Sequence, residues 1–304
     1  MSSPSGDRPE SSRDLIRKVR STLLGLLIPL LTHTVGRLPY PLAHRFGHGL
    51  ARLLLWTNRK HRRLADKHLR LAFPEADEDE IARLVRDCFR NAALNMVETL
   101  ILLARGHRAF DERLTIEGAE HLAHEPGERV LLLSCHAGFW ELLGIASAQL
   151  GSPVFGFGRR PDDPVFAAVL TKLRRAILAR NIERGTAEGR SLLRQVLKGE
   201  GAIVMLIDQD TKVDGTWVPF FGRPAYTPTG AAEMALKHHM RVVPAFLERR
   251  GRGQHVARYL PPLDLPDDVT QATALMTATI EAHIRRNPAQ WVWWHRRWRR
   301  QKNR

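Results

Sequence analysis

The chain has 304 residues, 43% of them apolar, and a formal net charge of +15. Such a length holds a substantial core, as one large α/β domain or as one with a helical appendage, and the apolar content excludes disorder throughout. The charge excludes a protein indifferent to anions, and leaves nucleic acid, an acidic membrane surface or a phosphorylated substrate as candidate partners.

Residues 1–12 are polar and rich in Ser and Pro, and are predicted to form a disordered tail. The apolar run Leu23–Leu31 falls short of the ~20 residues a bilayer span requires. Arg13, Arg17, Lys18 and Arg20 precede it, and Arg37, Arg45 and Arg52 follow. That pattern predicts an interfacial or marginally inserted helix held on the cytoplasmic face, with an amphipathic helix packed on the domain as the competing reading. Helical spacing continues over 41–56 and 64–73, the latter after the basic cluster Arg59–Arg63 and stopped by Pro74. Acidic Asp77–Glu80 open a further helix over 81–103. Residues 13–110 therefore read as a helical, membrane-associated region.

From Leu114 the pattern changes. Short apolar runs at 114–118, 130–135, 154–157, 202–207, 242–247 and 255–259 alternate with helical segments at 165–179, 189–198, 229–239 and 270–286. This alternation predicts, over 111–304, an α/β domain with a mostly parallel central sheet flanked by helices. Val130–Cys135 is a continuous apolar run, the mark of a strand buried on both faces.

His136 follows that strand, and the segment from Ser134 to Gly144 holds Gly138 at a turn and Glu141 at the start of a helix. In α/β sheets, sites form at the carboxyl ends of strands. Glu141 can bond one ring nitrogen of His136 and leave the other as a base; a structural histidine is the competing reading. Asp208 and Asp210 bracket Gln209 at the end of a second apolar strand. One of these carboxylates orients substrate or a basic side chain, or the three residues are a solvated turn. Arg160 and Arg184 sit in loops, where they grip phosphate or form part of a solvated face. Phe220 and Phe221 line an acyl groove or pack the core. Cys88 and Cys135 have no metal-like spacing and read as reduced thiols; a nucleophilic role for Cys135, beside His136, is the alternative. The segment from Gln290 to Arg300 interleaves four tryptophans with arginines, which suits a membrane interface, single-stranded nucleic acid or packing under the domain.

Taken in order, Ala72-Phe73-Pro74-Glu75, His136 to Glu141, Arg160-Pro161, Asp208-Gln209-Asp210, Val218 to Gly222, Asn287 to Trp291 and His295 to Trp298 resemble the lipid A biosynthesis acyltransferases, within the wider glycerolipid acyltransferase superfamily. The resemblance covers nearly the whole chain. It implies an O-acyltransferase at the cytoplasmic face of the inner membrane, with no cofactor and no metal. The implied donor is an acyl thioester of acyl carrier protein or coenzyme A, and the implied acceptor an anionic lipid or glycolipid; no nucleic-acid partner is expected. By resemblance His136 is the general base, Glu141 orients it, and Arg160, Arg184, Asp208 and Asp210 shape the substrate site. Acyl transfer to a lysophospholipid or aminolipid, a hydrolase using the same base with water, and a non-catalytic basic binding protein are the alternatives.

Overall fold

Helices fill the first third of the chain, as the apolar spacing predicts. The computed structural model describes residues 12–123, 125, 127–158, 163–183, 185–251 and 253–300, so all but the last residue of the expected disordered tail lie outside it. Helix α1 (Ser12–His33) carries Pro29 in its interior. α2 (Tyr40–Thr57) begins with Pro41 in its first turn, where a missing N–H costs nothing. α3 (Arg59–Ala72) absorbs the basic cluster expected to precede it. α4 (Glu78–Arg105) is capped by Asp77, whose carboxylate accepts from the Glu80 N–H at 2.7 Å. None of the helices among the described residues is long and apolar enough to cross a membrane.

The strands and helices that follow are β1 (Leu114–Glu117), β2 (Val130–Ser134), α5 (Leu143–Gln149), β3 (Val154–Gly158), α6 (Pro164–Ala176), β4 (Arg180–Glu183), α7 (Ala187–Leu197) and β5 (Ala202–Leu206). Then come β6 (Gly215–Phe220), β7 (Arg223–Pro228), α8 (Gly230–Lys237), β8 (Arg241–Arg249), β9 (His255–Tyr259) and α9 (Val269–Arg286). Seven strands form one sheet in the order β1-β9-β8-β2-β5-β3-β4, and every neighbouring pair is parallel except β8 with β9. β2 lies at the centre with all five residues buried, which accounts for its unbroken apolar sequence.

One core on each side of the sheet holds the molecule together. Ile81, Val85 and Phe89 of α4 join the first, with Leu131, Leu133 and Met276. Val97, Ile101 and Leu102, further along α4, join the second with Leu132 and Val243. This single helix therefore ties the helical region to both sides of the sheet.

Two features escape the sequence reading. β4 is four residues long and mostly polar, so no period shows. The segment read as an aromatic groove or core filler is the antiparallel hairpin β6–β7, and Phe220 and Phe221 are core. The C-terminal segment takes the packing reading rather than the interfacial one: Trp291, Trp293 and Arg297 are all buried. Arg297 donates to the Tyr226 carbonyl at 2.6 Å and to Thr227 Oγ1 at 2.5 Å, pinning the segment against β7. Burial pushes this guanidinium down to about 10, against the pull of Asp208 and Asp210.

Candidate active site

The site grows from the carboxyl ends of the two central strands. β2 and β5 pair in register, with Ser134 opposite Leu206. Two residues beyond each of these stand His136 and Asp208, so strand pairing alone brings them together. Past His136 the chain turns at Gly138, whose φ of 61° lies in the left-handed region. A side chain there would also collide with the Leu247 carbonyl oxygen. The turn is clamped from two sides: Gly138 N–H donates to the Gln290 carbonyl at 3.0 Å, and Asn95 Nδ2 donates to the Gly138 carbonyl at 2.7 Å. A short 3-10 turn at Trp140–Leu142 then presents Glu141.

His136 Nδ1 donates to Asp208 Oδ1 at 2.8 Å. Asp208 Oδ2 accepts from the His136 main-chain N–H at 2.9 Å and from Trp291 Nε1 at 2.7 Å. Asp208 is thus a buried carboxylate with three donors. Burial opposes its charge, but His136 and these hydrogen bonds hold it down at about 2. His136 shows the reciprocal effect. Burial disfavours its imidazolium, and the Asp208 charge and hydrogen bond, helped by Glu141, raise it above the ordinary 6.5. The ionised carboxylate cannot donate, so the neutral ring keeps its proton on Nδ1. Nε2 has no hydrogen bond among the described residues, and the side chain is 25% exposed.

The nitrogen expected to meet Glu141 is therefore held by Asp208. The reason is register: strand pairing delivers Asp208 to Nδ1, while Glu141 sits in the 3-10 turn on the far side of Gly138. Glu141 still shares a cavity of about 260 Å³ with His136, walled by Val154, Phe157, Ile177, Val204 and Leu206. The third polar group there is Arg174 of α6, with Nη2 3.8 Å from Glu141 Oε1 and a buried Nε lacking a hydrogen-bond partner. A side chain at Gly156 would strike the Arg174 guanidinium, so the glycine makes room for it.

Asp210, expected beside Asp208, is buried but faces the C-terminal segment, 3.1 Å from Arg299 Nη2 and 3.3 Å from Arg300 Nε. Arg160 and Arg184 lie outside the described residues. The Gly138 amide is committed to the Gln290 carbonyl and is not free to hold an oxyanion. Burial, reinforced by Asp208, pushes the Cys135 thiol well above its ordinary range, which leaves it protonated and inert. Arg174 had no local signal in the sequence, and Trp291 stood out only as part of the tryptophan–arginine segment; each reaches the site through the fold.

Residues 14–300 match the family model described as bacterial lipid A biosynthesis acyltransferase. The chain belongs to that family. This member is therefore an acyltransferase. It is 28% identical to the lipid A biosynthesis lauroyltransferase of Escherichia coli K12, over 87% of this chain and 88% of that protein. It is 26% identical to the lipid A biosynthesis palmitoleoyltransferase of the same organism, over 86% of this chain and 87% of that one. A more distant relative is the phosphatidylinositol mannoside acyltransferase of Mycobacterium tuberculosis, 23% identical over 71% of this chain and 67% of that protein. The relatives are thus named for different acyl chains and different acceptors.

Proposed function

We propose that this acyltransferase moves a fatty acyl chain from a thioester of acyl carrier protein or coenzyme A to a hydroxyl of a lipid A precursor or a related glycolipid. His136 is the general base. The observation that carries this reading is the unoccupied Nε2 of an Asp208-bound imidazole, set at an apolar cavity. Nε2 takes the proton as the acceptor oxygen attacks the thioester carbonyl. The C–S bond then breaks, and the imidazolium returns its proton to the leaving sulfur. Asp208 fixes the tautomer and stabilises the imidazolium. The Glu141 charge does the same from the cavity side and keeps Arg174 beside it, where the guanidinium opposes the developing oxyanion. Arg160 and Arg184, by family resemblance, bind phosphate on donor or acceptor. Asp210 acts at one remove, by anchoring Arg299 and Arg300.

The same reading places the protein on the cytoplasmic face of the inner membrane. Leu23, Leu26, Leu27 and Leu30 of α1 are exposed, an apolar face suited to lying in a bilayer surface. Flotation with vesicles tests this: Leu26→Glu with Leu30→Glu should release the protein from membranes without changing its melting temperature.

The deciding assay supplies detergent-purified protein with acyl carrier protein charged with several chain lengths, and with coenzyme A thioesters in parallel. Acceptors are a lipid A precursor and a total polar lipid extract, and mass spectrometry seeks a lipid heavier by one acyl group. Product with wild type and not with His136→Ala supports the reading and names the acceptor. Equal behaviour of the two proteins, with a competent control enzyme, removes His136 as the base.

A further inference from the structure

A second cavity, of about 470 Å³, opens beside the catalytic turn. His44 and His48 of α2, Arg90 of α4, Arg249 at the end of β8 and Arg286 at the end of α9 converge on it, and no carboxylate lines it. Part of this charge is compensated nearby. Arg90 Nη1 lies 2.9 Å from Asp87 Oδ1, and Arg249 is committed to buried Glu98, with Nη1 2.5 Å from Oε1. Arg286 has no ion pair among the described residues, and Asn287 next to it adds a neutral amide to the wall. His48 reports the resulting field: burial first, then Arg90, His44 and Arg52, hold it below the ordinary imidazole value. A group already surrounded by positive charge resists taking another proton; an anion placed there relieves the repulsion.

The geometry of α2 indicates where such an anion comes from. Leu42, Phe46, Leu53 and Trp56 are exposed, and at 100° per residue they form one stripe. His48 and Arg52 fall roughly a quarter to a third of the circumference away from it, while His44 lies on the far side with Ala43, Gly47 and Ala51, 3.3 Å from buried Glu98 Oε1. A helix with an apolar stripe to enter lipid sets the flank that carries Arg52 and His48, with the arginine-lined cavity beside it, at the level of lipid phosphates. The cavity also touches the catalytic machinery. Arg249 N–H donates to Gln290 Oε1 at 2.8 Å, and the Gln290 carbonyl accepts from the Gly138 N–H.

We propose that this cavity is a phosphate-binding site, separate from the acyl-transfer cavity, that takes the headgroup phosphate of a membrane lipid. Arg90 and Arg286 supply the charge-assisted hydrogen bonds, and the apolar stripe of α2 seats the protein so that the phosphate reaches them. The site requires no acyl transfer, so its test stands apart from the catalytic reading.

The experiment uses full-length protein, with binding of inorganic phosphate by calorimetry and flotation with phosphatidylcholine vesicles with or without phosphatidic acid. The variant is Arg90→Gln with Arg286→Gln, both exposed side chains. The control is Arg62→Gln with Arg63→Gln, which removes the same charge elsewhere. Losing two charge-assisted contacts should weaken binding roughly tenfold or more, while the control pair stays near wild type. Loss only with phosphatidic acid vesicles assigns the site to lipid headgroups; loss in both arms shows that free phosphate enters as well. Equal binding by wild type and variant, or equal loss in variant and control, overturns the proposal.

Discussion

Asp208→Asn tests the reasoning about the site most sharply, because it changes charge and proton direction with almost no change in shape. Asp208 Oδ2 accepts from two N–H groups, the His136 main chain and the Trp291 indole. In the variant the amide oxygen must take that position, since an NH₂ there would face two donors. The NH₂ then points at His136 Nδ1, which must accept. The ring proton is forced onto Nε2, the atom that has to be the base. Two losses combine: the imidazolium loses a charge-assisted partner, roughly 1.5–3 kcal/mol, and the reactive tautomer is inverted. Tautomer inversion at a comparable carboxylate–histidine pair costs about 10⁴-fold, so a fall in kcat/KM of ~10³–10⁴-fold is expected. The assay is transfer from acyl carrier protein to the acceptor identified by mass spectrometry, at saturating and limiting donor. KM for the donor should change little, because Asp208 is buried away from substrate. A variant within threefold of wild type, folded by circular dichroism and with its acidic limb at the same pH, would refute the assignment of Asp208 as the partner of His136.

Four further outcomes follow from the geometry. The neutral imidazole is the base and its folded pKa is raised above 6.5, so kcat/KM should climb with pH through an apparent pKa above that value; a limb at or below 6.5 contradicts the Asp208 and Glu141 contribution. For stability the sign is set by Asp208, depressed from 3.8 to about 2: its contribution is present above the unfolded value and is lost as the pH falls through about 2, a loss of about 2 kcal/mol that acid titration of the melting temperature would follow. Cys135→Ala should leave kcat within about twofold and cost about 1 kcal/mol of stability through a small cavity, whereas abolished turnover or a trapped acyl-cysteine would restore the thiol nucleophile. Val204→Phe narrows the apolar cavity beside His136 and should shift donor preference toward shorter acyl chains, read from competing thioesters in one reaction; an unchanged preference places the acyl chain elsewhere.

His136 and Glu141 were visible in the sequence as chemistry at the end of an apolar run, but which carboxylate holds Nδ1 of the ring was not. The H-x₄-E spacing draws attention to Glu141 because the two residues are close along the chain. The partner on Nδ1 is instead 72 positions away, and the pairing of β2 with β5 delivers it. Arg174 reaches the cavity because α6 packs against β4 and Gly156 of β3 leaves room for its guanidinium, and nothing in its neighbours on the chain distinguishes it from the surface arginines.

What the sequence determined by itself is whatever local geometry encodes. The 3.6-residue spacing in α2 and α4, the acidic start of α4 and the unbroken apolar run of β2 each follow from backbone period and from whether one face or both must be buried. From these the α/β class and the strand-end position of His136 could be read directly. The tertiary structure alone decided which side chains meet and which indoles lie inside. A tryptophan–arginine segment has one composition whether it lies in a membrane interface or closes a core; here Trp291 and Trp293 are interior because Asp208 and the Pro288 carbonyl accept from their indole N–H groups. The Asp208 carboxylate comes from a strand end 83 positions away, and burying a polar group is favourable only once its partner is in place.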